Sequence, residues 1–172
     1  MTELERLVDQ IERSFRGNAW HGPSVLEVLD GVDAKAARVR TVAAGHTIWE
    51  LTLHLRATME IISGRIAGTV GEVEEDVYWP LPDDLSEEAW QALLAELPPR
   101  HEALVAAIAK FAPSRLDAVL FAGGSAAYNN FWGHAQHNTY HAGQIALLKK
   151  LAPSDTTEPE EVPADDPDEA AN

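Results

Sequence analysis

The 172 residues contain no cysteine. That excludes disulfides, and it excludes any zinc site built on thiolates. A transition metal in this chain has only nitrogen and oxygen to hold it. Long apolar runs are also missing. None approaches the roughly 20 residues of a membrane span, and the charged, helical-period opening MTELERLVDQ does not read as a secretory signal. Positive charge is scarce: 13 Lys and Arg stand against 28 Asp and Glu, a formal net charge of -15. The stretch from Ala152 to Asn172 holds eight of the acids and no Lys or Arg, which leaves about -7 on the remainder by charge counting. Both parts repel phosphate backbones, so nucleic acid is not an expected partner. With no span and no signal, the expected location is cytoplasmic.

What is there reads as helical, and the length suits one domain with a sizeable core. Leu4, Leu7, Val8, Ile11 and Phe15 form one stripe over Thr2 to Arg16. Thr2 and Glu5 have capping-box spacing, and Gly17 is the stop. A long connection follows, with clustered turn residues and short helical turns at SVLEVL and AKAARV. The second long helix begins near Thr47, which has capping-box spacing to Glu50. It carries Ile48, Leu51, Leu55, Met59, Ile62 and Ile66 on one face and ends near Gly68. GTVGEVEEDVYWPLPDDL reads as a loop.

Ser86 caps the third helix, with Trp90, Leu93, Leu94 and Leu97 as its stripe. Pro98-Pro99 should kink or break it. His101, Leu104, Val105, Ile108 and Phe111 nevertheless continue nearly in phase, so one kinked helix is expected. RLDAVLFAGG is either a brief extended piece or a loop. Ser125 then caps the last helix, which runs to about Lys150, with Lys149 and Lys150 suited to its C-terminal dipole. Four long helices and two long connections make an all-α four-helix bundle with long crossover connections over residues 1–151. Residues 152–172, acidic and rich in proline, are expected to form a disordered tail.

The last helix contains HNTYHAGQIALLKK, residues 137–150. His137 and His141 stand i, i+4, about 40° apart in rotation and about 6 Å in rise, so both can reach one cation. Imidazole suits Zn, Ni, Fe and Cu. A third ligand must come from elsewhere. His54, at the edge of the apolar stripe of the second long helix, offers one from a neighbouring helix, and metal sites of bundles sit in such interiors. Three nitrogens leave a position open, as in catalytic rather than structural sites. By itself H-x-x-x-H is a weak signal, because polar residues sharing a helix face produce it too. Asn138 after His137 removes an H-E-x-x-H, and no E-x-x-H occurs anywhere. The zincin and di-iron carboxylate arrangements are therefore excluded.

ELTLHL around His54 and HNTYHAGQIALLKK near the C-terminus resemble the DinB/YfiT-like family of metal-binding four-helix bundles. AWHGPSVLEVL, HTIWEL and YWP at Tyr78 to Pro80 resemble it as well. The resemblance covers roughly Thr2 to Leu151 and is most specific over His137 to Ile145. It implies a divalent metal held by His54, His137 and His141, long crossovers between helices, and a homodimer. It also implies a small-molecule substrate, and for some relatives a low-molecular-weight thiol such as bacillithiol or mycothiol.

Other residues are candidates of lower rank. His134, i-3 from His137, is a fourth ligand, a partner of a ligand or a substrate contact; three ligands complete the family pattern, so it ranks as a neighbour. Gln144, i+3 from His141, is spaced to bond a ligand ring, or else a nearby backbone group. His21, in a Gly-Pro loop beside Trp20, is a candidate pocket residue. His46 reads as a cap or surface residue, His101 as a satisfied half-buried histidine, and Trp49, Trp79 and Trp132 as core or interface. Gly133 and Gly143 weaken a helix, which keeps such residues where a backbone or ligand comes close. Arg56, Arg65 and Arg100 are candidates for a basic pocket.

The function expected from all this is a divalent-metal-dependent enzyme with a three-histidine site holding Zn or Ni, hydrolase-like or a thiol-dependent S-transferase. The alternative is a non-catalytic, stress-related dimeric bundle that binds metal or a ligand. A third reading has no metal, and predicts that His54, His137 and His141 do not converge.

Overall fold

The same local device starts three helices. Thr2, Ser24 and Thr47 each accept a hydrogen bond from the N–H three residues on, and the carboxylates of Glu5, Glu27 and Glu50 accept one from the cap's own N–H. In the computed structural model, which describes residues 1–152, these caps open α1 (Glu3–Arg16), α2 (Val25–Leu29) and α4 (Ile48–Ala67). Between the last two lies α3 (Ala34–Ala37), and α5 (Glu75–Tyr78), α6 (Glu87–Ala109) and α7 (Ala127–Leu151) follow. Among the described residues there is no strand, only one isolated bridge between Val119 and Ala126. No described helix is long and apolar enough to cross a membrane. The expected tail, beyond Ala152, lies outside the described residues.

Helix α1 packs on α6 and α7, and α4 packs on the same two. Helices α1 and α4 therefore hold opposite corners of a four-helix bundle, and so do α6 and α7. The connections from α1 to α4 and from α6 to α7 each cross a diagonal, whereas the one from α4 to α6, comparable in length to the latter, joins neighbouring helices. The core between the helices holds Phe15, Ile11, Leu55, Met59, Leu97, Leu104 and Phe131, all essentially inaccessible to solvent. Burying each contributes about 1.5–3 kcal/mol. Trp90 Nε1 donates to the Val32 carbonyl at 2.6 Å, tying α6 to the first crossover.

One expectation is met and two need correction. Pro98 and Pro99 leave the third long helix in one piece, as its continuing stripe led us to expect; α6 runs through both. They withhold the N–H groups that Leu94 and Ala95 carbonyls would use, but Leu93, Leu97, Leu104 and Ile108 bury one continuous stripe on either side. Ser125 does not cap α7. Its N-cap is Ala126, with no side-chain cap, and the N–H groups of Ala127 and Tyr128 donate instead to the carbonyls of Ala118 and Leu116 at 2.9 Å. The preceding loop thus satisfies the helix start that a serine was expected to satisfy. That loop is the ambiguous RLDAVLFAGG, which folds as a turn ending in the Val119–Ala126 bridge. The stretch after Gly68, expected to be all loop, includes the single helical turn α5.

Candidate metal centre

Helices α4 and α7 pack side by side. His54 lies on the second turn of α4, buried among Leu51, Leu55 and Thr58, and His137 and His141 face it from successive turns of α7. His54 Nε2 is 2.8 Å from His137 Nε2, and His141 Nε2 is 3.0 Å from the same atom. The donor nitrogens of all three lie within 4.8 Å of one another, and no carboxylate joins the cluster among the described residues.

The outer nitrogens explain why the inner ones converge. His54 Nδ1 lies 2.6 Å from the Tyr78 carbonyl oxygen, which can only accept, so Nδ1 carries the hydrogen. His141 Nδ1 likewise donates to Gln144 Oε1 at 2.6 Å. Each neutral imidazole has one donor, so the Nε2 atoms of His54 and His141 are bare lone pairs. His137 Nε2 sits between them, and its buried Nδ1 has no partner among the described residues. A single proton on His137 could serve one neighbour and not both. Three convergent lone pairs call for a cation. Neighbouring ligands around tetrahedral zinc lie about 3.3 Å apart, given Zn–N bonds of about 2.0 Å; the His54–His137 and His137–His141 pairs, at 2.8 and 3.0 Å, are close to that spacing. The residues present fit a divalent metal ion.

Burial favours the neutral ligand form at all three. It pushes His137 down to about 3, helped by repulsion from His141, His54 and His134. It pushes His141 down to about 4 against the opposing Gln144 bond. His54 is also lowered by burial, although its bond to Tyr78 works the other way. A lowered pKa leaves the ring nitrogens free for metal near neutral pH.

Trp79 completes the support of His54. Its ring stacks on His54 at 3.7 Å with 4° between planes, and on its other face stacks His46 at 3.8 Å and 6°. His46 is therefore part of a three-ring pile, and it also approaches Glu50 at 3.5 Å. His46 is at the surface and Trp79 packs against the core, as expected of both; what the sequence did not announce is that they stack with His54. Sequence reasoning missed both Tyr78 and Trp79 as site residues. The one available signal was a Tyr-Trp-Pro cluster inside an otherwise acidic loop.

A cavity of about 250 Å³ opens beside the cluster, between α4 and α7. His54 and His137 line it, together with Thr58, Ile61, His134 and Arg65. His134 is 2% exposed, and both its ring nitrogens lack partners among the described residues. Burial and the nearby His101 push it down to about 3, so it is a neutral imidazole on the cavity wall. Gly133 also lines this cavity, and a Cβ added there would meet no atom within 4 Å. The same holds at Gly143, so no protein backbone demands glycine at either position.

Other candidates sit apart. His21 is exposed and lies 3.1 Å from Thr139 Oγ1, on a separate cavity lined by Trp20, Trp132 and Gln10. His101 is fully buried rather than half-buried. Its Nε2 donates to Glu12 at 3.2 Å, its Nδ1 is without a partner among the described residues, and Phe15 stacks on the ring face. Arg56 pairs with Glu96, and Arg100 with Glu96 and Glu60, so neither serves a basic pocket. Of the tryptophans, Trp49 is core and Trp132 is 38% exposed.

A family model described as the DinB superfamily matches residues 19–144, which take in all three histidines. No curated protein and no solved structure matches the chain.

Proposed function

We propose, for a chain that belongs to the DinB superfamily, that His54, His137 and His141 hold one Zn or Ni ion and that the protein is a metal-dependent enzyme acting on a small molecule. The reaction is hydrolytic, or it transfers a group to a low-molecular-weight thiol. The observation that supports this reading most is the convergence of three imidazole nitrogens whose outer atoms are already committed to Tyr78 and Gln144. When bound, the ion supplies Lewis acidity, polarising an oxygen or sulfur of the reactants.

The chain's own residues do the rest. Tyr78, Trp79 and Gln144 hold the ligand rings in orientation. Ile61, Ile62 and Thr58 give the cavity a largely apolar wall that limits water. His134 is the neutral imidazole on that wall, with an unused donor and an unused acceptor. In this reading it stays neutral and offers its ring N–H as a hydrogen-bond donor to a reacting oxygen, without adding charge to the cavity.

The test is a screen of esters, amides and thiol–electrophile pairs with the protein stripped by chelator and reloaded with Zn or Ni. Turnover is expected only in the loaded protein. His134→Phe is expected to reduce it without loss of metal. Equal turnover in stripped and loaded protein would contradict the metal-dependent mechanism. Metal uptake with no turnover on any substrate would favour the binding-only bundle.

A further inference from the structure

The far end of the same cavity holds an arginine that no acid claims. Arg65 is half-buried on α4, and it forms no ion pair among the described residues, in a chain with 28 acids. The other arginines without an ion pair there, Arg38 and Arg115, are exposed. Arg65 is also held still. Nε donates to the Gly71 carbonyl at 3.3 Å, Nη2 donates to Tyr78 Oη at 2.7 Å, and the guanidinium lies 4.3 Å from the Phe121 ring centroid. Nη1 has no partner among the described residues. Tyr78 accepts from Arg65, so its own O–H remains free to donate. Asn129, on the first turn of α7, lines the same end of the cavity. Its side-chain amide also has no partner among the described residues.

A half-buried cation fixed by neutral groups alone, with spare donors beside it, is built to receive an anion. The protein's strong negative charge makes that more telling, since an acidic side chain would have satisfied Arg65 at little cost. We infer that the substrate carries a carboxylate-class oxyanion at one end, bound by Arg65 and Tyr78, while its reacting end meets the three histidines. This rests on the metal-site reading above and deepens it. The two ends are joined by Tyr78, whose carbonyl accepts from His54 and whose hydroxyl accepts from Arg65. Arg65 stands eleven residues after His54, about 16 Å along a helix. The side chain leans back toward the N-terminus, which leaves a gap on the order of 10 Å. The substrate is therefore elongated, with an apolar middle facing Ile61 and Ile62.

The test uses the full chain loaded with Zn and two series of probes, ω-mercaptocarboxylates and ω-mercaptoalcohols of matched, increasing length. The thiol reports on the metal and the carboxylate on Arg65. Calorimetry is expected to show the acid binding at least about tenfold more tightly than the alcohol at one preferred length, a difference of about 1.4 kcal/mol. Arg65→Gln should abolish the preference and Arg65→Lys should keep part of it, with metal content unchanged in both. Equal affinities at every length in a metal-loaded protein would overturn the inference and leave the metal site standing. So would a preference that survives Arg65→Gln. A wild-type chain that takes up no metal would remove the metal site itself, and this inference with it.

Discussion

The Tyr78 carbonyl oxygen lies 2.6 Å from Nδ1 of His54. Through that contact a connecting segment determines which nitrogen of a core histidine is bare. The next residue, Trp79, stacks flat on the same ring at 3.7 Å. Trp79→Leu is expected to weaken Zn affinity about tenfold, the lower range for loss of a residue supporting a ligand. Trp79→Phe should retain most of it. Competition with a chromophoric chelator measures both, and unchanged affinity in Trp79→Leu would show that the stack does not position His54.

Gln144 plays the matching part for His141, at 2.6 Å from Nδ1. Gln144→Leu is expected to lower metal affinity by about 10- to 100-fold. Gln144→Glu keeps an acceptor, and its charge makes the imidazole a better ligand, so affinity should hold or rise. Equal losses in both variants would show that Gln144 matters through packing alone.

Gly133 and Gly143 separate helix stability from ligand binding. An added Cβ meets no atom within 4 Å at either site. Each Gly→Ala change is expected to stabilise the fold by about 0.5–1 kcal/mol through helix propensity. Gly133 lines the cavity and Gly143 does not, so Gly133→Ala alone should weaken binding of the mercaptocarboxylate probes. Urea denaturation and calorimetry provide the two readouts. Equal probe binding in Gly133→Ala and wild type would show that this part of the cavity is not used.

Acid should destabilise the fold through a second histidine, remote from the candidate ligands. Burial holds His101 below its ordinary range, although the Glu12 carboxylate pulls it up; Arg16 lowers it further and Glu102 raises it. His134 faces it from α7 and is itself held down to about 3. In the unfolded chain such groups titrate near 6.5, so below about pH 6.5 the unfolded state binds more protons. The stability these histidines contribute is full above that pH and is lost as pH falls toward their folded values. Each contributes a slope of up to about 1.4 kcal/mol per pH unit. His101→Phe keeps a ring against Phe15 and is expected to flatten the decline in urea midpoints from about pH 6.5 downward. Parallel declines in variant and wild type would contradict this.

Much of the bundle was legible because its signals are local. Thr2, Thr47 and Ser86 announce their helices within four residues, and the stripe from Leu93 to Ile108 outlasts two prolines. The convergence of His54, His137 and His141 was legible from helical spacing on α7 and a resemblance that supplied the third residue. What supports them was not. Tyr78 acts through a backbone carbonyl, which no side-chain pattern encodes, and Trp79 reaches His54 only because the α4–α6 connection folds back over α4. The start of α7 depends on carbonyls of Leu116 and Ala118 in a preceding loop, so Ser125 looked like a cap without being one. Among three arginines of equal standing in the sequence, the pairing of Arg56 with Glu96 and of Arg100 with Glu60 across α4 and α6 sets Arg65 apart.

The most direct test of the account is elemental analysis of the protein purified without a metal-affinity tag, before and after exposure to Zn²⁺ and Ni²⁺, beside a His137→Ala/His141→Ala double variant. The account predicts about one equivalent of metal in the wild type and a loss of nearly all of it in the variant. No metal in either protein after reloading would contradict it, and the three histidines would then be polar residues packed inside a bundle.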